Sequence, residues 1–190
     1  MLFRSQRPDI IYIFSKDILR HRRAQKEDAV WLKKGEEYKD ETLSVRAFGS
    51  TDVGVSFLLQ ASGKKIFHAG DLNNWHWMDE STEAEWKGAE KNFLHELDDL
   101  YAYTPEVDVA MFPVDPRLGK EYMRGAGQFV TKIKTHIFVP MHFTPEYAKA
   151  NAFRDFAEAH GVRFVSLTHR GQKIRSTTIR ATIITTILVR

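Results

Sequence analysis

Apolar and polar side chains alternate along Thr42-Leu43-Ser44-Val45-Arg46-Ala47-Phe48, the period-two pattern of a strand with one buried face. Residues 53–60 and 64–68 are two further strand-like runs, and Ser62-Gly63 between them predicts a hairpin. Upstream, 9–15 and 29–32 read as short strands, 16–23 as a helix, and Lys33-Lys34-Gly35-Glu36-Glu37 as a turn. Beyond residue 80 the period changes. Residues 81–101 are helical, with Ser81 or Thr82 as N-cap and Glu83 and Glu85 set against the positive end of the helix dipole. A buried strand over 107–112, a helix over 120–134, a strand over 136–139, a helix over 145–160 and a strand over 162–167 follow. Hairpin-linked strands succeeded by alternating strands and helices predict a mixed sheet in a layered α/β domain, with no repeat or internal boundary.

Composition narrows the class. At 190 residues with 43% hydrophobic side chains, the chain suits one globular domain with a sizeable core. The absence of cysteine excludes disulfides and thiolate ligands and is compatible with a reducing compartment. The N-terminus is polar and carries no secretory leader, and the apolar run from Ile183 to Val189 is far short of the roughly 20 residues a membrane span needs. The expectation is a soluble, cytoplasmic protein with no membrane partner.

The net charge of +3 invites a nucleic-acid reading, but its distribution argues otherwise. Arg163, Arg170, Lys173, Arg175, Arg180 and Arg190 lie in a C-terminal stretch with no acidic residue, which leaves the remainder at −3. The basic cluster from Lys16 to Lys26 lacks interleaved aromatic residues and reads as a solvated helix face, so no specific nucleic-acid partner is expected. Residues 176–190 are β-branched and basic and stand apart from a domain over 1–175.

Candidate chemistry lies where strands hand over to loops. Phe67-His68-Ala69-Gly70-Asp71 breaks at Gly70, and Val139-Pro140-Met141-His142-Phe143 breaks at Pro140, so Asp71 and His142 are offered from rigid supports. A carboxylate and a neutral imidazole are oxygen and nitrogen ligands for a hydrolytic zinc, manganese or iron. Each residue also has a plainer reading: Asp71 as a turn former, His142 as a satisfied core histidine. His76, between Trp75 and Trp77, is either a third donor or a member of an aromatic cluster. His68 is placed to support Asp71 rather than to ligate. Asp115 and Arg117 follow a strand and either line a pocket, with Arg117 forking onto an anionic substrate, or form a local ion pair.

Taken in order, His68-Ala69-Gly70-Asp71-Leu72-Asn73-Asn74-Trp75-His76-Trp77, Val114-Asp115-Pro116-Arg117-Leu118 and Pro140-Met141-His142-Phe143 resemble a small single-domain branch of the metallo-β-lactamase superfamily. The resemblance runs from Arg7 to about Ile174 and implies a metallo-β-lactamase-like αββα sandwich. It implies that Asp71 bridges two metals and that His142 closes the second site, with His76 as a candidate replacement for a middle histidine absent near Phe48-Gly49-Ser50-Thr51-Asp52. The family's His-any-His-any-Asp-His loop has no counterpart here: no two of the eight histidines are separated by a single residue. Laid along the family, that loop falls before Met1, so the sequence reads as a member that begins late, missing the N-terminal strands and ligand loop and not competent without them.

The implied activity is hydrolysis of a small-molecule ester, lactone, amide or phosphoester by a metal-bound hydroxide, with zinc as the first candidate and manganese or iron as alternatives. A catalytically inert relative acting through binding or assembly is the second reading, a nuclease-type member the third. A homo-oligomer is open.

Overall fold

The computed structural model describes residues 10–21, 27 and 29–173. The tail assigned to 176–190 therefore lies outside the described residues, as does the start of the strand expected over 9–15. Among the described residues there are nine strands, β1 Ile13–Ser15, β2 Val30–Leu32, β3 Glu37–Lys39, β4 Leu43–Phe48, β5 Ser56–Ala61, β6 Lys64–His68, β7 Glu106–Pro113, β8 Lys134–Met141 and β9 Arg163–Phe164, and four α-helices, α1 Glu83–Tyr103, α2 Arg124–Lys132, α3 Tyr147–Asn151 and α4 Arg154–Ala159. Strands β3 to β9 form one seven-stranded sheet in chain order, and β1 pairs in parallel with β2.

The sheet is mixed, as the hairpin pattern predicted. From β3 to β6 the pairings are antiparallel, and from β6 to β9 they are parallel. The β5–β6 hairpin turns at Ser62 and Gly63, both with positive φ, the backbone a two-residue turn demands. Parallel pairing of β6, β7 and β8 brings the chain out at the same edge three times. Asp71, Asp115 and His142 follow these three strands, which is why residues far apart in sequence meet.

Alternation along the strands sorts side chains between two layers. Phe48, Leu58, Phe67, Phe112 and Phe138 join the main core with Phe93, Leu97 and Leu100 of α1 and Phe129 of α2. Val45 and Ala47 turn the other way and pack with Leu32, Ile13 and Val30, so the small β1–β2 sheet covers the face opposite the helices. The result is an α/β arrangement with a helical layer, a central sheet and a piece of a second sheet.

Helix α1 begins as its sequence indicates. Thr82 is the N-cap, its hydroxyl accepting from the Glu85 amide while the Glu85 carboxylate accepts from the Thr82 amide. Strands β7 and β8 run longer than the expected 107–112 and 136–139, and β8 stays paired through Pro140 instead of breaking there, because it lies between two parallel neighbours. Several other elements are shorter than expected. The segment 16–23 is a 3-10 helix, Lys16–His21, as far as it is described. The 120–134 helix is preceded by a 3-10 segment, Pro116–Glu121, interrupted at Gly119, and α2 starts only at Arg124. The helix expected over 145–160 is two short ones, because the chain turns through Ala152 and Phe153 where Asn151 is drawn onto the Leu167 main chain. The strand expected over 162–167 pairs regularly only at Arg163 and Phe164.

Candidate functional site

Asp71 is set by the turn before it. Gly70 has φ +59, and a Cβ there would lie 2.8 Å from the Val55 carbonyl oxygen, so both backbone and space require glycine. His68 Nδ1 accepts the Gly70 amide at 3.0 Å, so His68 shapes the turn that presents Asp71. Burial holds the His68 imidazole below its ordinary pKa, in the neutral form this acceptor role needs. Gly70→Ala is expected to cost about 1–3 kcal/mol of stability, measured by urea unfolding. The same change is expected to weaken metal uptake by moving Asp71.

His142 lies just beyond β8 with φ 62, a left-handed conformation uncommon outside glycine, asparagine and aspartate. Its Nδ1 donates to Asp115 Oδ2 at 2.8 Å, and its Nε2 lies 3.4 Å from Asp71 Oδ1. Asp115 is fully buried and also accepts from Arg117 Nε at 3.0 Å on both oxygens. Arg117 Nη2 and His142 Nδ1 thus converge on one carboxylate.

Burial alone would raise the Asp115 pKa. Hydrogen bonds from His142 and Arg117 outweigh it and hold the carboxyl far below the usual range. In return, Asp115 first and Asp71 second raise His142 to about 9 against the opposing effect of burial. A raised histidine pKa stabilises the fold fully below the ordinary value of about 6.5. That contribution is lost as pH rises through about 9. Metal-free protein should therefore lose stability over that window, and Asp115→Asn should narrow it toward neutral pH, as read from urea midpoints against pH.

With Nδ1 donating to Asp115, the Nε2 lone pair of a neutral His142 faces a carboxylate, which is repulsive unless positive charge lies on or between them. A proton or a metal ion satisfies this. Two ligands on one tetrahedral zinc sit roughly 3.3–3.5 Å apart, given metal–ligand distances near 2.0–2.2 Å, and the observed 3.4 Å fits. Asp115 holds His142 by its Nδ1, as carboxylates hold the imidazoles of metal sites by the nitrogen that does not ligate. The donor pair fits two positions of a divalent ion. Among the described residues no group of three or more His, Asp or Glu converges to hold a metal, so these residues alone do not complete a closed site. Asp115→Asn should lower metal affinity about 10–100-fold, measured by competition with a chromogenic chelator.

His76, expected as a possible third donor, is not brought to this pair. It is buried, Nε2 hydrogen-bonds the Glu121 carbonyl at 3.1 Å, and Nδ1 accepts the Met78 amide at 3.1 Å. Both nitrogens are engaged with main chain, the packed role that was the plainer reading. For Asp115 and Arg117 the local ion pair is the arrangement seen, and the guanidinium fork is used on Asp115.

Other residues at the site carry no advance signature. Thr51 Oγ1 donates to the Asn73 carbonyl at 2.6 Å and accepts the Asn73 amide at 3.1 Å, clamping the loop after Asp71. Asn74 Nδ2 reaches Gln128 at 2.9 Å, and Glu90 accepts from Arg124 at 2.7 Å, which ties the loop to α1 and α2. Trp75 donates its indole N–H to the Asp71 carbonyl at 2.8 Å and its ring lies 5.2 Å from that of His142. Only the Trp-His-Trp spacing could have hinted at this wall; nothing in the helical sequence marks Glu90.

No protein-family model and no curated protein matches the sequence. Solved structures do. A Parabacteroides distasonis protein described as a candidate metal-dependent hydrolase superposes over 83% of this chain and 64% of its own, with 15% identity and a TM-score of 0.56. The diiron β-hydroxylase CmlA from Streptomyces venezuelae matches over 80% of this chain and 35% of its own, at 12% identity and a TM-score of 0.50. A Thermotoga maritima protein described as a candidate zinc-dependent hydrolase of the metallo-β-lactamase superfamily covers 70% and 62%, at 18% identity and a TM-score of 0.41. The chain thus spans less than two thirds of the length of each. At these identities the likeness is one of fold, carried by the first two: they share the mixed α/β architecture described above.

Proposed function

We propose that this chain carries part of the active centre of a metal-dependent hydrolase of the metallo-β-lactamase superfamily, with Asp71 and His142 as ligands to a divalent ion. The observation that carries the reading is the approach of Asp71 Oδ1 to His142 Nε2 at 3.4 Å, with Nδ1 held by Asp115. A catalytic zinc takes three protein ligands, and among the described residues this pair offers two. When bound, such an ion supplies Lewis acidity toward a carbonyl or phosphoryl oxygen and toward water. Zinc suits an imidazole and carboxylate pair, with manganese and iron as alternatives.

The protein's own contributions are orientation and charge. Asp115 fixes which imidazole nitrogen faces the ion, Arg117 keeps Asp115 ionised, and Gly70 and His68 set the direction of Asp71. Asp71, Asp52 and Arg117 set the charge that an ester, lactone, amide or phosphoester meets.

The test is hydrolysis of representative ester, lactone and phosphodiester substrates with added zinc or manganese, against a chelated control. Metal-dependent turnover that Asp71→Ala abolishes supports the reading. Metal-independent turnover, or turnover unchanged in that variant, contradicts it. No turnover despite metal held at this pair would favour an inert relative acting through binding.

A further inference from the structure

A cleft of about 270 Å3 is lined by Thr51, Asp52, Trp75, Trp77 and Arg117, and Trp75 links it to the Asp71–His142 pair. Trp75 and Trp77 are nearly parallel, with ring centroids 6.4 Å apart and 16° between planes. Trp75 is fixed by its bond to the Asp71 carbonyl and leans on His142. Trp77 is held at φ 43, a backbone conformation that a bulky residue adopts only where its surroundings impose it. Both indoles remain partly accessible. A rigid, partly open aromatic wall therefore abuts the candidate chemistry.

The remaining lining decides what such a wall could hold. Pockets for drug-sized ligands measure roughly 300–1,000 Å3, so this cleft of about 270 Å3 suits a single ring rather than a larger ligand. The Nε and Nη2 edge of Arg117, the side of its fork that would clamp a phosphate side-on, is engaged by Asp115. Asp52 and Asp71 add negative charge beside it. The Thr51 hydroxyl is bonded in both directions to Asn73. A polyhydroxylated ring needs free donors and acceptors around its edge, and these two rim groups are already engaged. A planar arene needs mainly a π face.

We propose that Trp75 and Trp77 form a subsite for a planar aromatic ring carried by the substrate next to its scissile ester, lactone or amide. This rests on the hydrolase reading, because it is the Asp71–His142 pair that gives the neighbouring bond its importance. Stacking orients the ring on Trp75 and leaves its carbonyl substituent toward His142.

The test is binding to the full chain of acetanilide, N-cyclohexylacetamide and methyl β-D-glucopyranoside, followed by the indole N–H resonances. Acetanilide is expected to shift the Trp75 and Trp77 signals, leave Trp31 and Trp86 in place, and bind about tenfold more tightly than the cyclohexyl amide. Trp77→Leu should lose about the same factor. Equal affinity for the two amides, a preference for the glucoside, or shifts confined to other tryptophans overturns the proposal. Should Trp77→Leu fail to fold, the signals of the unsubstituted protein decide alone. Acetanilide binding at the two indoles without any ester hydrolysis leaves the subsite standing and removes the hydrolase reading. Metal-dependent hydrolysis with no ring preference does the reverse.

Discussion

Asp71→Ala and His142→Ala should each reduce affinity for zinc or manganese by about 100-fold or more, while His95→Ala and His160→Ala leave it unchanged. Each of the first pair removes a direct donor, and supporting residues one step further out already cost 10–100-fold in other metal sites. The two controls sit elsewhere: His160 bonds the Phe156 carbonyl and stacks on its ring, and His95 lies on α1. The check is metal content after dialysis together with a chelator competition. Equal metal in all four variants would remove Asp71 and His142 from the account.

Phe112→Ala is expected to cost about 3–5 kcal/mol of folding stability. Phe112 is fully buried on β7 and meets Phe129 at 4.5 Å, Phe93 at 6.2 Å and Phe138 at 6.3 Å between ring centroids. Close-packed rings from three other elements cannot all move in to fill its space. Because β7 lies between β6 and β8, the strand also sets the spacing of the loops that carry Asp71 and His142. Urea unfolding should show a lower midpoint with unchanged slope. Tyr101→Ala, at an exposed site, should change stability by less than about 1 kcal/mol. A comparable loss in both variants would contradict this description of the core.

The sequence made the site's supports legible better than its completeness. The apolar strand that breaks before Gly70 locates Asp71, because the loss of periodicity and the turn residue coincide; the break expected at Pro140 does not occur, since β8 stays paired through Pro140 to Met141, and His142 is the first residue beyond it. The Thr82 and Glu85 capping box is local chemistry and equally readable. Parallel pairing of β6, β7 and β8, which brings Asp115 against His142, is a long-range event with no local marker. His76 shows the limit from the other side: its flanking tryptophans advertise a site, yet the Glu121 carbonyl and Met78 amide that occupy its ring arrive through folding. The division of the 145–160 helix depends on Asn151 meeting Leu167, again a contact that helical periodicity cannot contain.

The central claim is that Asp71 and His142 hold one divalent ion between them. Crystals soaked in zinc and measured on both sides of the zinc absorption edge test it directly. The account predicts an anomalous peak within ligand distance of both Asp71 Oδ1 and His142 Nε2, with Asp115 still bonded to Nδ1. A peak at other side chains, with the Asp71–His142 pair unaltered, would contradict it.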